Sequence, residues 1–329
     1  MTVLDVQKVT ATTSQKRRRR KDRRNRAPKP DLRKTLIRYR WLFVLMLPGI
    51  IYFLAFRFYP MYGAQIAFRN YVPFLGIEGS PWVGFYHFEE FFTNPDFPRL
   101  LANTLILAFL SLFIAFPLTI LLALLLNEVR LNILKRTIQT LVYIPHFLSW
   151  TVVVSLTLLL FAIGQGPLYY ALNDLFGTNT NFLTDPAWFR PLIVMQDIWK
   201  NTGWGTIIFL AALAGVDQEQ YEAAVIDGAG RWARVWNITL PSIKSTIVIM
   251  LILQTGQILN TGFEQIFLMT NPLNRSVAEV FDTYVYFVGI AQGSYSYSTA
   301  VGLAKAIVGL ILIFGTNWLA KRLKQPGIF

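Results

Sequence analysis

Apolar residues gather in six runs that approach the ~20 positions needed to cross a bilayer core. They lie at about 41–59, 101–126, 138–163, 192–214, 243–268 and 298–320. Between them stand polar connectors rich in Gly, Pro, Asn and aromatics, as in Pro73-Phe74-Leu75-Gly76 and Gly164-Gln165-Gly166-Pro167. The pattern predicts an all-α membrane protein with six transmembrane helices. Trp82, Tyr169, Tyr170, Trp188 and Tyr295 fall near the expected span ends, as an interfacial aromatic belt or an outer docking surface would require.

Two of the runs are interrupted by polar residues, which are costly inside a membrane and need a reason. The fourth carries Gln196, Asp197, Lys200 and Asn201, at spacings of three and four that share one helix face. The fifth carries Gln254, Gln257, Thr261 and Glu264 at similar spacings, with Asn260 beside them. At 1.5 Å per residue, Lys200 lies ~13 Å and Gln254 ~17 Å from a span end, near the midplane where transport sites sit. Asp197 and Lys200 suit either an internal ion pair or a solute pathway. The Gln254 face favours a pathway, because amides both donate to and accept from hydroxyls. Lys305 in the sixth run, and more weakly His146 and Trp150 in the third, are further lining candidates.

Composition agrees with a membrane protein: 54% of residues are hydrophobic, 15% charged, and mean hydropathy is +0.43. The net charge of +13 belongs to the tail. Residues 1–40 hold 15 of the 31 Lys and Arg against three acids, while the remainder carries 16 basic and 15 acidic groups. A basic cluster ahead of a first span holds that end in the cytoplasm and attracts anionic lipid. No aromatic interleaves the basic residues 16–26, which argues against nucleic acid. The tail reads as disordered to about residue 30, with an interfacial helix over Asp31 to Arg40. Arg130, Lys135 and Arg136 in the second connector and Lys321, Arg322 and Lys324 at the end fall on the same side, so both termini are expected in the cytoplasm.

That topology places connector 215–242 inside. It mixes Asp217, Glu219, Glu222, Asp227, Arg231 and Arg234, with helix-compatible residues on both sides of Asp227-Gly228. Gly228 is suited to a sharp turn between two short helices, and Pro241 to the first turn of the next span. Gly228-Ala229-Gly230-Arg231-Trp232-Ala233 fits a dinucleotide fingerprint, but no strand precedes it, so the match is accidental. No phosphate-binding G-x4-G-K-[S/T], no H-E-x-x-H and no cysteine occur, and only two histidines. The chain shows no catalytic constellation, no metal site and no ATP site of its own.

Written as EAA-x3-G-x9-I-x-LP, residues Glu222, Ala223, Ala224, Gly228, Ile238, Leu240 and Pro241 match without a gap the signature loop of ABC-importer permeases. Tyr59-Pro60-Met61-Tyr62-Gly63-Ala64-Gln65-Ile66-Ala67-Phe68, Trp82-Val83-Gly84-Phe85, Asn103-Thr104-Leu105, Ala123 to Glu128 and Tyr143-Ile144-Pro145-His146 resemble the carbohydrate-uptake branch, nearest to permeases for complex or acidic oligosaccharides such as alginate or rhamnogalacturonan fragments. The resemblance runs from about residue 40 to the end and leaves the tail unassigned. It implies a type I permease fold in a bacterial cytoplasmic membrane, with 41–329 as the permease domain. It also implies a homologous second permease, two ATPase subunits that use ATP and Mg, and an extracytoplasmic solute-binding protein. Glu222 would contact the ATPase, Ala223 and Ala224 permit close approach, Gly228 make the turn, and Ile238, Leu240 and Pro241 pack the loop's exit. Permeases for other solutes, and a proton-coupled carrier using Asp197, Lys200 or Glu264, are the competing readings.

Overall fold

Three π-helical turns each end two residues before a proline: Leu54–Phe58 before Pro60, Ser111–Ala115 before Pro117, and Val235–Thr239 before Pro241. Proline lacks an N–H and its ring crowds the carbonyl four residues back, so the helix widens by one residue instead of breaking. A fourth π turn, Phe287–Ala291, has no proline behind it.

The computed structural model describes residues 37–260 and 262–322. Expectations for the tail through residue 36, for Thr261 and for residues 323–329 lie outside them. The chain divides into two compact units, 1–63 and 64–329. The first holds the helix Arg40–Phe53, apolar on all sides in sequence, followed by the first π turn and the short helix Tyr59–Met61. The second is helical; an isolated bridge between Arg69 and Trp82 is its β pairing among the described residues.

Among the described residues, four stretches are long and apolar enough to cross a membrane: Arg40–Phe68, Phe97–Glu128, Arg231–Gly256 and Tyr295–Arg322. The other expected spans depart from simple rods. The third run is two helices, Asn132–Phe147 and Trp150–Leu160, bent by 100°. Pro145 begins the 3-10 turn Ile144–Phe147, and the Ser149 side chain restarts the helix by accepting from the Val152 N–H at 3.3 Å. The fourth run lies within Pro186–Ala214, long enough at 29 residues, but its polar cluster keeps it below the apolar content of the four.

The expected continuous span 243–268 needs correction. Its helix ends at Gly256, and a new one, Phe263–Met269, starts from Gly262 at φ +79°. Asn260 donates to the Gln257 side chain at 2.6 Å, so amide groups there serve the break instead of a helix face. Gln254 and Glu264 therefore stand on different helices.

Packing orders the second unit from end to end. Phe91, Leu100, Phe281, Tyr284, Tyr297 and Val301 form one cluster, and Ala123, Phe209, Leu213, Val216 and Ile243 another. Leu100 and Ala123 share the stretch Phe97–Glu128, which puts the two clusters about 35 Å apart. Leu107, Val154, Phe189, Leu192 and Ile266 pack between. Lipid tails are as apolar as these side chains, so close fit rather than water exclusion holds such helices together. Gly203 shows how close: a Cβ there would lie 2.0 Å from the Val142 carbonyl oxygen.

Candidate coupling finger and membrane cavity

Residues 217–242 form a finger of two short helices, Gln218–Ile226 and Arg231–Arg234. The Asp217 side chain caps the first by accepting from the Glu219 N–H at 3.0 Å. The far end closes in a paired cap: Gly228 N–H reaches the Val225 carbonyl at 3.1 Å, and Ala229 N–H the Ala224 carbonyl at 2.8 Å. Gly228 stands at φ +77°, the left-handed conformation anticipated for it. Glu222 and Ala223 are exposed and Ala224 is half-buried.

The finger's base is fixed to the bundle. The Tyr221 hydroxyl pairs with Thr239 at 2.9 Å, tying the first helix to the π turn that leads into the next long helix. Tyr221 and Ile238 pack on the cluster of Ala123, Phe209, Leu213 and Ile243. Leu240 is half-buried and Pro241 exposed. The exposed face also carries Ile226, Trp232 and Trp236 at 86%, 74% and 66% exposure, large apolar groups that a solvated connector would not display.

Between the end clusters lies a cavity of about 470 Å³. Asp197, Asn201, Gln254, Gln257 and Asn260 all line it, joined by Ser111, His146, Trp150, Trp204 and Gln265. The π turn at 111–115 supplies the Ser111 hydroxyl, which donates to Asp197 at 3.3 Å. Asn201 donates to the other oxygen of Asp197 at 2.7 Å and pairs through its own carbonyl with His146 at 3.1 Å. The His146 ring stacks on Trp204, centroids 4.7 Å apart and planes 3° from parallel. The lining thus combines a chain of polar groups backed by aromatic faces with the amides of Gln254, Gln257, Asn260 and Gln265. No Lys or Arg lines the cavity among the described residues.

Four sequence candidates sit elsewhere. Lys200 makes no ion pair with Asp197: it donates to the carbonyls of His146, at 2.6 Å, and Leu148, beside the Trp150 ring. It thereby holds the bend of the broken helix pair. Gln196 is buried, donating to Thr157 at 2.7 Å and accepting from Gln265 at 2.9 Å. Glu264 accepts from Thr151 at 3.2 Å, and Lys305 pairs with Asp282, both away from the cavity lining.

Sequence reading passed over the end of the bundle opposite the finger. There Glu279, with 2% of its side chain exposed, pairs with Arg99 at 2.8 Å and Arg275 at 2.7 Å. Hydrogen bonding to that carboxylate holds the Arg275 guanidinium above its ordinary range. Asn103 ties the same loop to the bundle, donating to the Ser276 and Glu279 carbonyls at 3.0 Å while accepting from Arg190 at 2.9 Å. Arg275 is an i,i+4 partner of Glu279, but Arg99 and Asn103 lie some 180 positions away and leave no local signal.

The family described as "Binding-protein-dependent transport system inner membrane component" matches residues 93–325. The chain is 60% identical over 294 residues to Protein LplB of Bacillus subtilis (strain 168), covering 89% of this chain and 92% of that one. It is 54% identical, with the same coverage, to the polygalacturonan/rhamnogalacturonan transport system permease protein YteP of the same organism. A solved bacterial alginate ABC transporter, in complex with an alginate pentasaccharide-bound periplasmic protein, contains a chain that superposes with TM-score 0.82 at 38% identity, over 90% of this chain and 99% of that one. A profile spanning most of the sequence, and relatives this similar over nearly their full length, show that the chain belongs to the binding-protein-dependent inner membrane components, and is a multi-pass permease subunit of an ABC importer rather than an enzyme.

Proposed function

We propose that this permease moves an oligosaccharide, one with acidic residues, by alternating access, driven through Glu222. The observation that carries the reading is the finger itself. It is an exposed helix closed by Gly228, with its base bonded through Tyr221 and Thr239 to the helix that presents Gln254 to the cavity. Motion imposed at Glu222 thus reaches the polar lining through one short linkage.

In this reading the chain crosses the membrane six times, the bent pair 132–160 and the polar helix Pro186–Ala214 each making one crossing. The finger and both termini face the cytoplasm, and the basic tail rests on anionic lipid. A second, non-identical permease completes the path. Two ATPase subunits beneath it bind ATP and Mg, and a binding protein delivers solute from above. Asn201, Gln254, Gln257 and Asn260 contact the sugar with amide donors and acceptors, and Asp197 with a carboxylate acceptor. The names of YteP and of the alginate transporter support an acidic polymer as its source. No cation lines the cavity among the described residues, so in this reading the second permease supplies the positive groups that offset Asp197 and meet a uronate.

Reversing charge at Glu222 tests the coupling. In the assembled importer, Glu222→Lys is expected to leave membrane insertion intact while uptake falls at least tenfold and ATP hydrolysis loses its dependence on solute-loaded binding protein. Normal uptake at normal expression would overturn the role of Glu222.

A further inference from the structure

At the end of the bundle opposite the finger lies a second cavity of about 450 Å³, between the helix Tyr86–Thr93 and the turn that opens the helix Tyr295–Arg322. Leu100 and Tyr297 pack together at this end, and Ala123 and Val216 at the finger's. The π turn without a proline, Phe287–Ala291, shapes this site. Its Gly289 approaches the last helix so closely that a Cβ would lie 2.4 Å from the Ser298 hydroxyl. Gly293, at φ +74°, then swings the chain into Tyr295. A helix defect with no sequence cause, next to a cavity, is characteristic of a functional position.

The lining combines aromatic faces with hydrogen-bonding groups that no protein partner uses. Tyr71, Tyr86 and Tyr295 bear hydroxyls without a hydrogen bond among the described residues, as do the side chains of Asn70 and Ser294. The walls are nonetheless fixed. Ser296 accepts from the Tyr71 N–H at 2.8 Å across the cleft, and the Tyr71 and Tyr295 rings meet edge to face at 6.1 Å. His87 is held between Glu90 and the Arg69 carbonyl, and among the described residues Glu90 is the sole carboxylate in the lining, with no Lys or Arg there to offset it. Flat aromatic surfaces beside unengaged hydroxyls and an amide fit a ligand with both C–H faces and many hydroxyls. The lone carboxylate disfavours an anion.

We infer that this cavity is a separate saccharide site for an uncharged sugar unit of the transported chain, engaged at the far end from the finger before the solute reaches the membrane cavity. The inference rests on the oligosaccharide reading above. The test uses the complete importer in nanodiscs with digalacturonate and its dimethyl ester, two probes that differ in charge. The part of the saturation-transfer NMR signal that is lost in Tyr86→Ala with Tyr295→Ala is expected to be at least about fivefold larger for the ester than for the acid. Tyr86→Phe with Tyr295→Phe, which keeps the packing, should lower that tyrosine-dependent part a few-fold. A tyrosine-dependent part equal for both probes, or an ester signal indifferent to the two tyrosines, overturns the site. Uptake of galacturonate oligosaccharides by wild-type cells separates the two readings: retained uptake with no tyrosine-dependent signal removes this site alone, whereas absence of any saccharide uptake removes the sugar reading itself.

Discussion

The ammonium of Lys200 donates to the backbone carbonyl of His146 at 2.6 Å, joining the long helix Pro186–Ala214 to the bend of its broken neighbour. A second bond to the Leu148 carbonyl completes the clasp. Both carbonyls belong to the segment where Pro145 interrupts the helix, so they lack the i+4 donors a continuous helix would provide. Lys200 supplies them, and its charge is engaged there rather than offered to the solute.

Lys200→Met should therefore behave as a structural lesion. Hydrogen bonds to a charged group contribute roughly 1.5–3 kcal/mol, and the carbonyls left behind lose further through desolvation. Thermal unfolding in detergent is expected to show a lower midpoint, with uptake of acidic and neutral oligosaccharides reduced in equal proportion. A selective loss for the acidic solute would place the Lys200 charge in the pathway instead.

The finger's turn depends on a residue that tolerates positive φ. Gly228 has open space around it, so a side chain would meet no neighbour, and only the backbone objects. Gly228→Val costs about 1–2 kcal/mol for the left-handed conformation. Limited proteolysis should cut the finger faster in this variant while the spans stay protected. Gly228→Asn, which adopts that conformation more readily, is expected to recover most of the uptake that the valine variant loses.

Charge at the opposite end is asymmetric. Glu279 is buried, whereas Arg99 and Arg275 keep 39% and 57% of their side chains exposed. Glu279→Gln leaves two solvated cations and should cost little, about 1–2 kcal/mol. Arg99→Ala with Arg275→Ala strands a buried carboxylate, for which breaking such a pair costs about 3–5 kcal/mol. The double arginine variant should thus unfold at a clearly lower denaturant concentration than the glutamine variant. The reverse order would show that the carboxylate reaches water.

Two glycines of one helix allow a sharper comparison. A methyl at Gly203 meets backbone, the Val142 carbonyl at 2.0 Å, while one at Gly205 meets the side-chain methyl of Thr119 at 2.7 Å. A side chain can turn away and a carbonyl cannot. Gly203→Ala is expected to lower stability by about 1–3 kcal/mol, as overpacking does, and Gly205→Ala by less. Circular dichroism melts of the two purified variants decide it.

What could be read in advance follows the range of the interaction. The finger was legible because glycine, Pro241 and alternating charges act on their immediate neighbours. The Asp197–Asn201 contact was legible because four residues make one turn of an intact helix. The same spacing argument misled at Gln254 to Glu264, since it assumed a helix that Gly262 and the Gln257–Asn260 bond end. Lys200 was recognised as needing a partner, but its partners are backbone carbonyls some 54 residues away, which carry no side-chain signature. The Glu279 cluster escaped for the same reason: Arg99 approaches it only once the chain has folded.

The π turn at Ser111–Ala115 makes Phe97–Glu128 a helix of two phases. One residue beyond α-helical spacing rotates everything after the turn by about 100° relative to what precedes it. Leu100 and Leu107 take their places in two clusters in the phase set before the turn, and Ala123 takes its place in a third in the phase set by the added residue. Removing a single codon there would leave composition, hydropathy and span length nearly unchanged. It would nevertheless turn the finger-side half of the helix away from Phe209 and Leu213, so the packing at the finger's base depends on a count of residues as well as on their kinds.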